Sequence, residues 1–101
     1  GSDEPKIKSL MAENPVYAEK IHPNHPYTVA EVVWAVRYEM AREVEDVLSR
    51  RVRLLYIDAR AAIAAAPVVA KTIANELKKD QSWIDQQVQN FTAVAKHYTY
   101  N

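Results

Sequence analysis

A chain of 101 residues, 49% apolar and 26% charged, has room for one modest soluble core and not two. Lys+Arg and Asp+Glu balance at 13 each, which removes the basic excess that nonspecific nucleic-acid binding or a polybasic membrane module requires. There is no cysteine and a single glycine, Gly1, so disulfides, thiolate metal sites, Rossmann turns, phosphate loops and nucleophile elbows are all excluded.

Gly1 and Ser2 read as remnants of an expression tag, which leaves residues 3–101 as the domain. Asp3 to Glu13 predicts a first helix. Asp3 is its cap, Pro5 sits in its first turn, and Ile7, Leu10 and Met11 share one face. Asn14-Pro15 ends it, because the residue before proline avoids the α region. Pro15 to Tyr27 reads as an ordered connector with one turn around Val16–Lys20. His22 and His25 lie in it without the third and fourth ligands a metal needs, so they are expected to be solvated or locally hydrogen-bonded.

Thr28-Val-Ala-Glu31 spells a capping box, with Thr28 and Glu31 as its two partners. The helix that follows places Val29, Val32, Val33, Val36 and Met40 on one stripe. Trp34 and Tyr38 lie off its centre, at the rim or against a partner. A break or bend is expected near Ala41–Glu43, and then a second apolar stripe at Val44, Val47 and Leu48. Between Arg37 and Arg60 six arginines face five acids, so ion pairing is expected to dominate over phosphate binding.

Leu54-Leu55-Tyr56-Ile57 has strand-like composition but no partner strand, so it reads as buried helix or helix end. Asp58 caps a helix over Ala59–Ala66, whose alanines allow close approach of a neighbour. Pro67 is costly inside a helix and comfortable at its first residue, so a break is expected at Ala66–Pro67. Val69, Ala70, Ile73, Ala74 and Leu77 form the next buried face. Ser82-Trp-Ile-Asp85 resembles a second capping signature with Ser82 as cap. Ile84, Val88, Phe91, Ala95 and Tyr98 then recur every three or four residues as an apolar seam, and Thr99–Asn101 is expected to fray.

These elements predict an all-α single small domain of about five to six helices, packed between an orthogonal array and a bundle, with no sheet. No serine has a base-bearing motif and the acids fall on helix faces, so the residues assign no catalytic, cofactor-binding or metal site. Alone, composition and spacing describe a helical domain and leave its function open.

The run EVVWAVRYEMAREVEDVLSRRVRLLYIDARAA from Glu31, continuing to Ala65–Pro67, carries more. It resembles the C-terminal domain of FAD-dependent glycerol-3-phosphate dehydrogenases and α-glycerophosphate oxidases. IHPNHPYTVAE upstream, with VVAKTIANEL and QVQNF downstream, extends the resemblance from about Met11 to Tyr98. Two departures stand out: Glu43 where threonine is common, and Lys78-Lys79-Asp80 where Gly-Trp-Asp is frequent.

The resemblance implies an accessory domain after a large FAD- and substrate-binding portion of the same chain. That portion would oxidise sn-glycerol 3-phosphate to dihydroxyacetone phosphate, with electrons passing to quinone or to oxygen. FAD belongs to that portion, and the fragment itself is expected to be inactive. The resemblance further implies a cytoplasmic protein whose parent enzyme is peripheral on the inner face of the cytoplasmic membrane. No nucleic acid and no direct membrane contact are expected, and homo-oligomerisation stays open.

Within the domain, Glu39, Arg42, Asp46, Arg50, Arg51, Asp58 and Arg60 are expected to form one ion-pair and capping network. Trp34 and Arg53 are the residues expected to face the flavin portion. The competing reading is a free-standing helical protein-interaction module; a small independent enzyme would lack any recognisable site.

Overall fold

Residues 4–98 are described by a computed structural model. The expected Asp3 cap and the Thr99–Asn101 tail lie outside them. Five α-helices account for most of the chain: α1 (Glu4–Glu13), α2 (Val29–Tyr38), α3 (Leu54–Ile57), α4 (Ala59–Leu77) and α5 (Gln81–Ala95). Short 3₁₀ turns occupy Pro15–Ala18 and Lys96–Tyr98, and a π-helical turn occupies Asp46–Arg51. No strand forms among the described residues; a lone antiparallel bridge joins Lys20 to Thr28. The fold is all-α, and its radius of gyration of 12.8 Å is that of one compact domain, for which about 13 Å is expected at this length.

The centre of the molecule is α4. Its small stripe of Ala61, Ala62, Ala65, Ala66, Val69, Ala70 and Ile73 is buried, and small side chains let α2, α3 and α5 approach closely. Val32 and Val33 of α2 and Phe91 and Ala95 of α5 close on that stripe. Val44, Val47 and Leu48 come in from the segment after α2, and all three are fully buried. α1 lies outermost, contributing Ile7 and Leu10 against α2.

Three expectations about the elements are corrected here. α4 runs without a break through Pro67. Pro67 is exposed and leaves the Ile63 carbonyl without its helical donor; the nineteen-residue helix is held by burial on its other face. Met40 leaves the α2 stripe: the helix has already ended, Met40 adopts a left-handed backbone with φ 63°, and its side chain is 74% exposed. Tyr98 leaves the α5 seam: the helix tightens into a 3₁₀ turn after Ala95, which rotates Tyr98 to the surface.

The helix ends explain the scarcity of glycine. Arg53 and Lys78 share the left-handed conformation with Met40, at φ 58° and 60°. Each costs a Cβ-bearing residue about 1 kcal/mol. Lys78 follows α4 in the role usually given to glycine, and the Lys79 amide closes back on the Ala74 carbonyl at 2.9 Å.

Candidate functional site

The charged segment between α2 and α4 is the part of the chain with most chemistry in reach. It begins where α2 stops. Beyond the left-handed Met40, the Ala41 amide donates to the Ala35 carbonyl at 3.0 Å. The Arg42 guanidinium then donates to the carbonyls of Val36 and Ala41 at 3.1 and 2.7 Å, taking the place of the missing next turn. Asp46 holds the start of the following helical segment: its Oδ2 accepts from the amides of Arg42 and Glu43 at 3.0 and 3.1 Å. That is the return half of a capping box; the forward half, which a hydroxyl at position 43 would make, is not available to Glu43.

The expected seven-member network is instead several local clusters. Arg51 donates to Glu39 at 2.9 Å, tying the π-helical turn to the end of α2. Arg50 reaches Asp46 only at 3.9 Å and is 84% exposed, which makes it a loose surface pair. Asp58 stands apart from both. Its Oδ1 accepts from the Ala61 amide at 3.1 Å, capping α4, and its Oδ2 lies 3.0 Å from Nε2 of His25. The His25 hydrogen bond, and after it the Ala61 amide, hold the Asp58 carboxyl below the usual carboxylate range. Arg60 is exposed on the first turn of α4.

Three partners were not visible from the sequence. Glu76 on α4 takes both Nε and Nη2 of Arg37 at 2.6 and 3.3 Å, which raises the Arg37 pKa and bridges α2 to α4. Gln87 is buried on α5, and its Oε1 accepts from the Val44 amide at 3.0 Å. His25 joins the connector to α4 through Asp58. All three span more than thirty residues, and no local spacing signals them.

At the helix starts, the Thr28 amide donates to Glu31 Oε2 at 3.1 Å within a capping box. Ser82 is a correction: it is the second residue of α5, and Asp80 is the cap, accepting from the Trp83 amide at 2.9 Å. Asp80 immediately precedes the first helical residue, Gln81, and its carboxylate takes the free amide of Trp83.

Trp34 and Arg53 differ sharply. Trp34 is 8% exposed and belongs to the core, with Tyr38 packed on it at 4.4 Å and Lys6 over its face at 6.0 Å. This corrects the expectation that it meets a second domain, since little of the ring remains for a partner. Arg53 is exposed, and its guanidinium lies 5.4 Å over the Tyr56 ring. Among the described residues, no group of three or more His, Cys, Asp or Glu is placed to hold a metal ion, and no helix is long and apolar enough to cross a membrane.

Comparison with known proteins agrees with the resemblance. A family model for the C-terminal domain of alpha-glycerophosphate oxidase matches residues 1–84. A mitochondrial glycerol-3-phosphate dehydrogenase of Schizosaccharomyces pombe is 36% identical over 66 residues, 65% of this chain and 10% of that protein. The mitochondrial glycerol-3-phosphate dehydrogenase SDP6 of Arabidopsis thaliana is 30% identical over 89 residues, 88% of this chain and 14% of that protein. A probable mitochondrial glycerol-3-phosphate dehydrogenase of Caenorhabditis elegans is 40% identical over 63 residues, 62% of this chain and 9% of that protein. The chain thus spans about a tenth of the length of the curated relatives it matches. No solved structure gives a significant match. With a family match over more than half its length and an all-helical fold, the chain belongs to the family of C-terminal domains of alpha-glycerophosphate oxidase and its glycerol-3-phosphate dehydrogenase relatives.

Proposed function

We propose that this chain serves as the accessory domain of an FAD-dependent glycerol-3-phosphate dehydrogenase and performs no chemistry itself. In this reading the larger portion of the polypeptide oxidises sn-glycerol 3-phosphate at C2 to dihydroxyacetone phosphate. The hydride goes to FAD and the electrons pass on to quinone. The domain's role is to brace that portion. The parent enzyme works on the cytoplasmic face of a membrane as a peripheral protein, and this domain makes no lipid contact of its own.

The match of residues 1–84 to the C-terminal-domain family carries the reading. The donor set supports it. A flavin dinucleotide needs backbone amides opened by glycine for its pyrophosphate, and here the left-handed positions are filled by Met40, Arg53 and Lys78. Among the described residues no left-handed position carries the glycine that such a cradle uses.

Equilibrium dialysis against FAD, followed by a dye-reduction assay with glycerol 3-phosphate, tests the reading. The 101-residue chain is expected to retain no flavin and reduce no dye, while the whole polypeptide does both. Tight flavin uptake or turnover by the 101 residues alone would overturn it.

A further inference from the structure

Helix α3 has two unlike sides. Leu54 and Leu55 are buried, whereas Tyr56 and Ile57 are 53% and 63% exposed. The Tyr56 ring meets Tyr98 edge-on at 5.5 Å, and the Arg53 guanidinium lies over the Tyr56 ring at 5.4 Å. The cluster is held firmly: the Asp58 amide closes α3 on the Leu54 carbonyl at 2.8 Å while the Asp58 side chain caps α4. Arg53 enters α3 through a left-handed residue, a conformation that persists only where its surroundings fix it.

We infer that Arg53, Tyr56 and Ile57, with Tyr98 beside them, form the docking surface for the flavin- and substrate-binding portion of the same polypeptide. The inference rests on the function proposed above and adds the contact face. Tyrosine and arginine on a rigid support are the side chains that dominate interface energetics. The relatives carry this domain as 9–14% of their length, so in each of them most of the chain lies outside it and has to be met by some face of the domain. The Asp58 carboxylate at the edge of the patch is engaged by His25, and exposed Arg53 and Arg60 give that edge its positive charge. The complementary face is therefore apolar with an acidic or carbonyl-rich spot.

Other exposed apolar residues serve less well. Tyr38 lies on Trp34, the Met40 sulfur sits 4.0 Å from the Arg42 guanidinium, and Val16 and Val68 are lone apolar positions. A lipid surface is a poor occupant, because a four-residue helix cannot present the long amphipathic face that interfacial binding uses.

The test places the photo-crosslinking residue p-benzoylphenylalanine at Ile57 of the intact polypeptide, with Val68 as the control position, and maps the products by mass spectrometry. The expected product joins position 57 to a peptide of the flavin-binding portion of the same chain, and position 68 gives none. Ile57→Glu should speed proteolytic separation of the two portions at least tenfold, and Val68→Glu should not. Crosslinks between two copies of this domain would overturn the inference in favour of self-association. Ile57→Glu with unchanged proteolysis and no crosslink at 57 would overturn it outright. An intact polypeptide without flavin or glycerol 3-phosphate oxidation would instead overturn the underlying function, so the two failures are distinguishable.

Discussion

The α4–α5 pair and the Glu39–Asp58 segment are built on different principles. The pair is regular helix with small apolar residues on the touching faces, and its stability comes from area removed from water. The segment turns four times in twenty residues, through two left-handed residues, a π-helical turn and a four-residue helix. Its polar contacts decide direction more than stability, because most of its charges remain in reach of water. The comparison teaches that the dense charge of the segment is a steering device and the alanine stripe of α4 is the anchor.

Substitutions can break this contrast. Phe91→Ala should cost about 3–5 kcal/mol in urea unfolding, since the ring is 2% exposed and seated on α4. Trp34→Ala should cost about 3 kcal/mol, and Trp34→Phe distinctly less. The indole Nε1 is buried without a hydrogen-bond partner among the described residues, so the phenyl ring loses volume but no bond. Gln87→Leu should cost about 1–3 kcal/mol by stranding the Val44 amide. In the segment, Arg51→Ala should cost under about 1 kcal/mol, because its pair with Glu39 is partly exposed. A loss above 3 kcal/mol there would make the ion pair an anchor and reverse the comparison. Lys78→Gly should stabilise by about 1 kcal/mol by relieving the left-handed backbone.

The smallest effect is in pH. The folded Asp58 pKa is lowered, so its contribution is fully present above the ordinary carboxylate pKa of about 3.9 and is lost as pH falls through the lower folded value. Asp58→Asn should lower the melting temperature slightly near neutrality, where the charged carboxylate contributes, and flatten its fall in that acid window.

What the sequence makes legible is what local spacing controls. The buried face of α2 at Val29, Val32, Val33 and Val36 and the second stripe at Val44, Val47 and Leu48 follow from periodicity, and the lack of strands among the described residues follows from a sequence with no partner for Leu54–Ile57. Pro67 misleads because the local cost of proline in a helix is outweighed here by the burial of the alanine-rich face on both sides of it. Met40 misleads because periodicity says nothing about where a helix stops when no glycine marks the stop. The pairing of charges is illegible for a different reason. Arg37 finds Glu76 and Asp58 finds His25 across more than thirty residues, and those distances are set by how α4 lies against α2 and the connector.

Hydrogen–deuterium exchange on the intact polypeptide and on the isolated 101 residues tests the central claim most directly. If this is a non-catalytic brace docked through α3, the amides of Arg53–Ile57 gain protection in the intact polypeptide while those of α4 and α5 exchange alike in both. Equal exchange at Arg53–Ile57 in the two samples, or protection gained only elsewhere, would contradict it.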